Sequence, residues 1–347
     1  MRTGCSRCPS ERGVATALLL ILTLPALALA QSEPPPGMEP VELTDPLDGH
    51  TFEVFVPMST NGLGGFDADG CSYARGEQPR NHEIVTSPTT LYSATLDAWK
   101  LPVSAEQKGP LMETLLSLGR DVESVRSLTP ADKYELAAAV ARQLGRDEFT
   151  IGQLYLSGAW TVRDTIVGFL PGIQGAGDAW SKLVETLPMV KELTEPRGRT
   201  IALFDMARLS HRGGFVHERS DFMSLVGSVP DAGLGAAAKR AEFARRVAAE
   251  DRLLTKARDA FRAGLDKPDG HPEDRARIRF LVGEITRRLG DFDEARTTLE
   301  GVELDAVAGE ETRALARDVL AVLKVQASAP TVSANTEGAP ATPATTD

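Results

Sequence analysis

The spacing of apolar residues along the chain changes at about residue 100, from a period of two to a period near 3.6. Between residues 41 and 100, short alternating runs such as 52–56 and 82–85 are separated by Gly, Pro, Ser and Thr. These runs predict short strands and long turns. Between residues 101 and 325 the apolar residues recur at helical spacing, which predicts amphipathic helices that each bury one face. The pattern therefore predicts a mostly α protein in which a small β-rich module precedes the helical domain.

Two apolar stripes and three glycines in the helical part predict helical hairpins. The first stripe contains Ile151, Leu154, Tyr155, Gly158, Ala159, Val162 and Ile166, and the second contains Ile278, Leu281, Val282, Ile285 and Leu289. Gly145, Gly213 and Gly290 each follow one amphipathic run and precede another, as expected of glycines that close a helix in a left-handed turn. Their separations of 68 and 77 residues are close to twice the roughly 34-residue period of tetratricopeptide repeats.

The last predicted hairpin, residues 283–299, has the strongest likeness to a tetratricopeptide hairpin. Gly283 and Ala295 stand where two helices would cross closely, and Phe292 would wedge into that contact. The predicted fold is therefore a tetratricopeptide-like array of helical hairpins.

The two ends of the chain have compositions of their own. Residues 1–30 have the form of a signal peptide, with a basic start, an apolar run from Val14 to Leu27 and the small-residue site Ala28-Leu29-Ala30. Residues 31–40 are proline-rich and are expected to form a linker. Residues 326–347 are dominated by Ala, Thr, Pro and Ser, and we expect a disordered tail. We therefore expect a periplasmic or secreted bacterial protein, with no transmembrane segment in the mature chain.

Charge and cysteine content narrow the classes of partner and site. The chain has 38 Lys and Arg against 49 Asp and Glu, a net charge of −11, so nucleic acid is not an expected partner. Three cysteines are too few for a disulfide framework. With only five histidines in addition, the chain has few potential ligands for a metal cluster, and we expect neither a metal nor a cofactor. Cys71 would be the mature chain's lone thiol; a buried thiol is favoured over a crosslinked dimer.

The order of features resembles the bacterial domain-of-unknown-function family 2225. The resemblance is carried by Asp45-Pro46-Leu47-Asp48-Gly49 with Phe52, Asp67-Ala68-Asp69 with Tyr73, Ser87-Pro88-Thr89-Thr90 with Tyr92 and Ala94, and Leu154-Tyr155-Leu156 with Ala159-Trp160 and Arg163-Asp164. It implies a zinc-ribbon-like module before tetratricopeptide-like helices, and no assigned activity. Where the family has two Cys-x-x-Cys pairs, this chain has Asp45 and Asp48, then Ser87 and Thr90. The module is expected to have lost its metal ligands, since two hydroxyls cannot replace thiolates on zinc.

Two functional hypotheses follow. The first is a non-enzymatic scaffold or interaction protein, because no nucleophile elbow or phosphate loop is present and stacked hairpins form an extended concave surface. Its partner would be a protein or peptide in the cell envelope. The expected binding residues lie on the first helix of each hairpin: Arg142, Ser210, His211, Arg277, Phe280, Glu284, Arg287 and Arg288. Arg277 and Arg288 could together bind a carboxylate.

The alternative hypothesis is a metal-dependent enzyme or factor. Its site would use Asp45, Asp48, His50, Asp67 and Asp69, and these side chains would have to lie close together in the folded protein.

The signal sequence gives a first testable prediction. Cleavage after Ala30 would remove three basic residues and one acidic residue, so that the mature chain begins at Gln31. Mass spectrometry of the protein from its natural host should find Gln31 as the first residue. Intact Met1 on a membrane-bound form would contradict the prediction.

Overall fold

The computed structural model of the chain describes residues 37–59, 61–118, 125, 127–230, 235–267 and 271–328. These residues form four short strands and then a succession of α-helices, as the apolar pattern predicts. The strands are β1 (Met38–Thr44), β2 (Thr51–Pro57), β3 (Ile84–Thr86) and β4 (Ser93–Thr95). The helices are α1 (Leu96–Trp99), α2 (Ala105–Ser117), α3 (Pro130–Gln143), α4 (Glu148–Val167), α5 (Ala176–Glu192), α6 (Pro196–Gly213), α7 (Val216–Ser228), α8 (Ala236–Leu265), α9 (Pro272–Arg288), α10 (Phe292–Glu303) and α11 (Glu310–Ser328).

The β-rich module consists of two antiparallel hairpins. β1 pairs with β2 in the register Met38 to Pro57, and β3 pairs with β4 in the register Ile84 to Thr95. The hairpins share one apolar core with α2 and α3, in which the ring of Trp99 meets Tyr92 edge to face at 4.8 Å. Trp99 also donates its indole N–H to the carbonyl of Val85 at 3.3 Å. The module therefore shares an apolar core with the helical domain, and aromatic side chains of the module lie in that core.

Three helices end in the same way, at the predicted Gly145 and Gly290 and at Gly214, the residue after the predicted Gly213. Gly145, Gly214 and Gly290 have φ angles of 70°, 72° and 90°. The residue after each glycine donates its backbone N–H to a carbonyl in the last helical turn, as in Arg146 to Ala141 at 2.9 Å and Phe215 to Ser210 at 2.8 Å. Only a residue without a Cβ adopts this conformation at little cost. The prediction of hairpins at α3–α4, α6–α7 and α9–α10 is confirmed.

The centre of the helical array is the contact between α4 and the long helix α8. Both predicted stripes bury their apolar residues, on α4 and on α9, in one shared core. Close approach of the helices depends on glycine, because a Cβ on Gly152 would lie 2.5 Å from the ring of Phe261. A side chain at Gly264 would meet the ring of Phe149 at the same distance.

The observed boundaries differ slightly from those predicted. β1 begins at Met38, inside the predicted linker, because an edge strand tolerates Pro40. The first helix begins at Leu96, and α11 continues to Ser328. The predicted signal peptide and most of the predicted tail lie outside the described residues. None of the helices described is long and apolar enough to cross a membrane.

The α9–α10 crossing gives a second prediction. Ala295 is fully buried, and a Cβ on Gly283 would lie 2.8 Å from Leu299. Replacing Ala295 by Leu should lower the free energy of unfolding by about 1–3 kcal/mol, because the crossing has no room for the larger side chain. Gly301→Leu on the same helix is the control, since a Cβ there meets nothing within 4 Å. Equal urea midpoints for the two variants would show that the crossing is not tightly packed.

Candidate functional site

Four of the eight residues expected on the concave face lie instead in a buried ionic cluster. The cluster comprises four carboxylates, four arginines and one histidine, all almost inaccessible to solvent: Asp67, Asp69, Glu250, Glu284, Arg163, Arg212, Arg287, Arg288 and His211. The arginines equal the carboxylates in number, so the charges compensate if the histidine is neutral. Balance is required because an unpaired buried ion costs several kcal/mol.

Four helices and one loop of the module bring these side chains together. Arg163 comes from α4 and Glu250 from α8, where Glu250 occupies a position on the buried face. The last turns of α6 and α9 supply His211, Arg212, Glu284, Arg287 and Arg288. Asp67 and Asp69 lie in a tight loop of the β-rich module, held by hydrogen bonds from Asp67 N to Cys71 O and from Gly70 N to Asp67 O.

Asp67 is surrounded by three guanidinium groups. Its Oδ2 lies 3.1 Å from Arg163 Nη1 and 3.2 Å from Arg288 Nη2, and its Oδ1 lies 3.3 Å from Arg212 Nε. The hydroxyl of Tyr73 donates a further hydrogen bond to Oδ2 at 2.8 Å. Both carboxylate oxygens are thus satisfied by charged or polar donors, which offsets the cost of burial.

Asp69 binds two of the same arginines. Its Oδ2 lies 2.8 Å from Arg163 Nη1 and 3.6 Å from Arg288 Nε, and it accepts the indole N–H of Trp160 at 3.1 Å. Burial alone would raise the pKa of Asp69, but the charges of Arg163 and Arg288 lower it to about 2. Asp69 is therefore ionised throughout the neutral range.

Glu250 joins the arginines to His211. It accepts Arg163 Nε at 2.8 Å and lies 2.7 Å from His211 Nε2, while Arg219 Nη1 donates to His211 Nδ1 at 2.9 Å. Burial lowers the pKa of His211 despite the neighbouring carboxylate. Because a guanidinium can only donate, Nδ1 accepts and Nε2 carries the proton that is donated to Glu250. The imidazole is thus a neutral bridge between Arg219 and Glu250.

Glu284 and Arg287 connect the cluster to the end of α6. Arg287 Nε lies 2.7 Å from Glu284 Oε2, and Arg288 Nε lies 2.8 Å from Glu284 Oε1. The guanidinium of Arg287 also donates to the carbonyls of Gly213 at 3.0 Å and Gly214 at 3.2 Å. A cation here satisfies carbonyl oxygens that a helix end leaves without partners.

A second buried pair lies beside the cluster. Arg80 Nη1 is 3.4 Å from Asp164 Oδ2 and 2.8 Å from the sulfur of Cys71. Burial raises the pKa of Asp164 to about 7, because Arg80 and Arg163 offset the desolvation only in part. Burial likewise raises the pKa of the Cys71 thiol to about 12. The prediction of a buried thiol at Cys71 is confirmed.

The expectation of an exposed binding face is corrected for six of its eight residues. Ser210, His211, Phe280, Glu284, Arg287 and Arg288 are buried, because the acidic loop and neighbouring helices cover them. Arg288 does bind carboxylates, but they belong to Asp67 and Asp69 of the same chain. Arg142 and Arg277 remain exposed, and Arg142 contacts the ring of Tyr155 and the carboxylate of Glu148. Arg277 and Arg288 therefore do not form a shared exposed carboxylate site.

Sequence reasoning did not identify Arg163, Arg212 or Glu250 as members of this site. A signal was present in two of them, because Arg163 follows Val162 within an apolar helix and Glu250 lies three residues after the buried Val247. A charge at a position of the buried stripe indicates a buried partner. Arg212 gave no comparable signal.

The carboxylates of the alternative hypothesis do not converge. Asp67 and Asp69 belong to the ionic cluster, whereas Asp48 and His50 are exposed in the turn between β1 and β2. Asp45 is buried but accepts a hydrogen bond from Thr90 Oγ1 at 2.6 Å and another from Leu47 N at 2.7 Å. Across the part of the chain that the structure describes, no three His, Cys, Asp or Glu side chains gather as metal ligands would.

The contact between Asp45 and Thr90 does bring together the two segments at which the resemblance to family 2225 would place the cysteine pairs. A hydrogen bond joins the two turns at this point.

Comparison of the chain with protein-family models, with curated proteins and with solved structures found no match. The resemblance to family 2225 therefore stays a prediction.

The ionic cluster gives a third prediction. Asp69→Asn should lower the free energy of unfolding at pH 7 by about 3–5 kcal/mol, because it leaves Arg163 and Arg288 without one counterion. The folded pKa of Asp69 is about 2, below the usual unfolded value of about 3.9. Unfolded Asp69 therefore binds more protons, and its contribution, present above about pH 4, is lost as pH falls toward 2.

The variant should accordingly lose less stability than the parent between pH 4 and pH 2. Asp293→Asn is the matched control, since that carboxylate is 97% exposed. Urea unfolding at several pH values measures both effects. An Asp69→Asn protein that follows the parent at every pH would contradict the assigned role of the cluster.

Proposed function

We propose that the protein is an exported, non-enzymatic interaction or scaffold protein that binds a protein or peptide of the cell envelope through its helical surface. The observation that supports the proposal most is an exposed apolar surface on the α5–α6 hairpin. Four large apolar side chains of this hairpin and its turn are more than one third accessible: Val184 at 55%, Met189 at 61%, Leu193 at 37% and Ile201 at 54%. Accessible apolar side chains that form one patch are typical of a protein interface, and we propose that these four contribute to one.

The exposed side chains are additional to the core of this hairpin. α5 and α6 bury Ala179, Leu183, Val190, Leu203 and Met206 in a second apolar cluster. One face of each helix is thus buried in this core, and further apolar residues lie on the exposed surface of the same helices. The exposed residues do not contribute to this core, so a binding partner gives them a physical role.

Export and location rest on the sequence of residues 1–30. The basic start, the short apolar run and the small-residue site support secretion, and we propose a periplasmic or secreted location. The partner is then an envelope protein or peptide with an apolar contact surface. Arg142 and Arg277, which stay exposed, could add contacts to acidic groups of that partner.

The fourth prediction tests this surface. A triple variant, Val184→Glu with Met189→Glu and Ile201→Glu, should lose capture of its partner from an envelope extract, because charges do not enter an apolar interface without a large desolvation cost. Leu304→Glu is the matched control, since Leu304 is 83% exposed and lies outside this hairpin. The helical circular dichroism of both variants should match that of the parent. If the triple variant captured the same proteins as the parent, the hairpin would not be the binding surface.

A further inference from the structure

A groove of about 430 Å³ lies between the β-rich module and the α3–α4 hairpin. Its apolar lining comes from β4, α1, α3 and α4 and consists of Ala94, Ala98, Leu101, Ala137, Val140, Ala141, Leu144 and Leu154. The volume is in the range of roughly 300–1,000 Å³ that is typical of small-molecule sites. The groove is separate from the ionic cluster, and its lining includes no residue of α5 or α6.

The charged groups along the groove are Asp97, Arg146 and Asp147. Asp97 is paired with Lys100 at 2.8 Å. Asp147 caps α4, and its carboxylate accepts the backbone N–H of Thr150 at 2.9 Å and the hydroxyl of Thr150 at 2.8 Å. Both carboxylates thus already have partners within the chain. Arg146, by contrast, makes no side-chain ion pair or hydrogen bond with any residue that the structure describes.

Tyr92 supplies a second donor in the same groove. Tyr92 is only 1% accessible and lines the groove, and its ring packs edge to face against Trp99. The hydroxyl makes no hydrogen bond with a residue that the structure describes, and its oxygen is not fully enclosed by protein, so it is open to the groove. Arg146 lines the same groove. A guanidinium and a phenol that bind no described side chain therefore line one groove together with an apolar surface.

From this arrangement we infer that the groove binds an anionic amphiphile, a carboxylate with an aliphatic chain. The chain lies along the alanine, valine and leucine side chains, and the carboxylate accepts hydrogen bonds from Arg146 and Tyr92. Guanidinium groups bind carboxylates in a planar, two-point geometry. An aliphatic chain suits the lining better than a peptide does, because each peptide residue brings polar backbone groups that apolar side chains cannot satisfy.

Decanoate is the probe for this inference, with the full-length mature chain in a calorimetric titration at low salt. Decanoate should bind with a stoichiometry of one, and uncharged decanol should bind at least about tenfold more weakly, because it lacks the charge that pairs with Arg146. Arg146→Gln should weaken decanoate binding by about tenfold or more, and Tyr92→Phe by about three- to tenfold.

Two further variants separate the groove from unspecific effects. Ala98→Phe should abolish binding, because Ala98 is half-buried and a larger side chain there fills the groove. Arg197→Gln is the control for loss of one exposed positive charge outside the groove, and it should bind like the parent. Circular dichroism and melting temperature confirm that each variant is folded.

The inference is wrong if decanoate does not bind, if decanol binds equally well, or if Arg146→Gln and Ala98→Phe bind like the parent. It does not depend on the proposed envelope partner, since the α5–α6 variants should bind decanoate normally. A failure of partner capture and a failure of decanoate binding are thus separate results.

Discussion

The burial of Asp67 and Asp69 against arginines from α4, α6 and α9 is the interaction on which the arrangement of module and helices depends. Asp67 is separated from Arg163 by 96 residues and from Arg212 by 145 residues along the chain. Each buried charge costs several kcal/mol unless its partners are in place. A displacement of the loop would remove the counterions of several buried arginines at the same time. The network therefore favours one mutual placement of loop and helices over others that would bury a similar apolar area.

Arginine has a second structural role, because it satisfies carbonyl groups at the ends of helices. Arg208 donates to the carbonyls of Ile166 and Val167 at the end of α4, and Arg275 donates to the carbonyl of Leu265 at the end of α8. Arg287 does the same at the end of α6. Helix ends carry unpaired carbonyls and partial negative charge. A planar guanidinium reaches two oxygens at once, which a lysine ammonium on a flexible stem does less well.

The sequence predicted those parts of the fold that depend on local rules. The stripes of α4 and α9 and the glycines at 145, 213–214 and 290 follow from helical periodicity and from the steric freedom of glycine. The ionic cluster could not be predicted in this way, because its pairs join residues far apart in the chain. Periodicity also assigns arginine and glutamate to solvated faces, so it placed Glu284, Arg287 and Arg288 on the outside. Their burial depends on counterions from a loop whose position no local pattern encodes.

The arginines of the ionic cluster are already paired with carboxylates of the same chain, and this pairing limits where an external ligand can bind. Asp67 and Asp69 are part of the same chain, so their effective concentration at Arg163 and Arg288 is far higher than that of a dissolved carboxylate. An external acid would also lose translational and rotational freedom on binding and would make no better contacts. Recognition of other molecules is therefore favoured where binding completes an interaction that the fold leaves unmade. Among the described residues, the exposed apolar side chains of α5 and α6 are one such place, and the groove where Arg146 has no counterion is another.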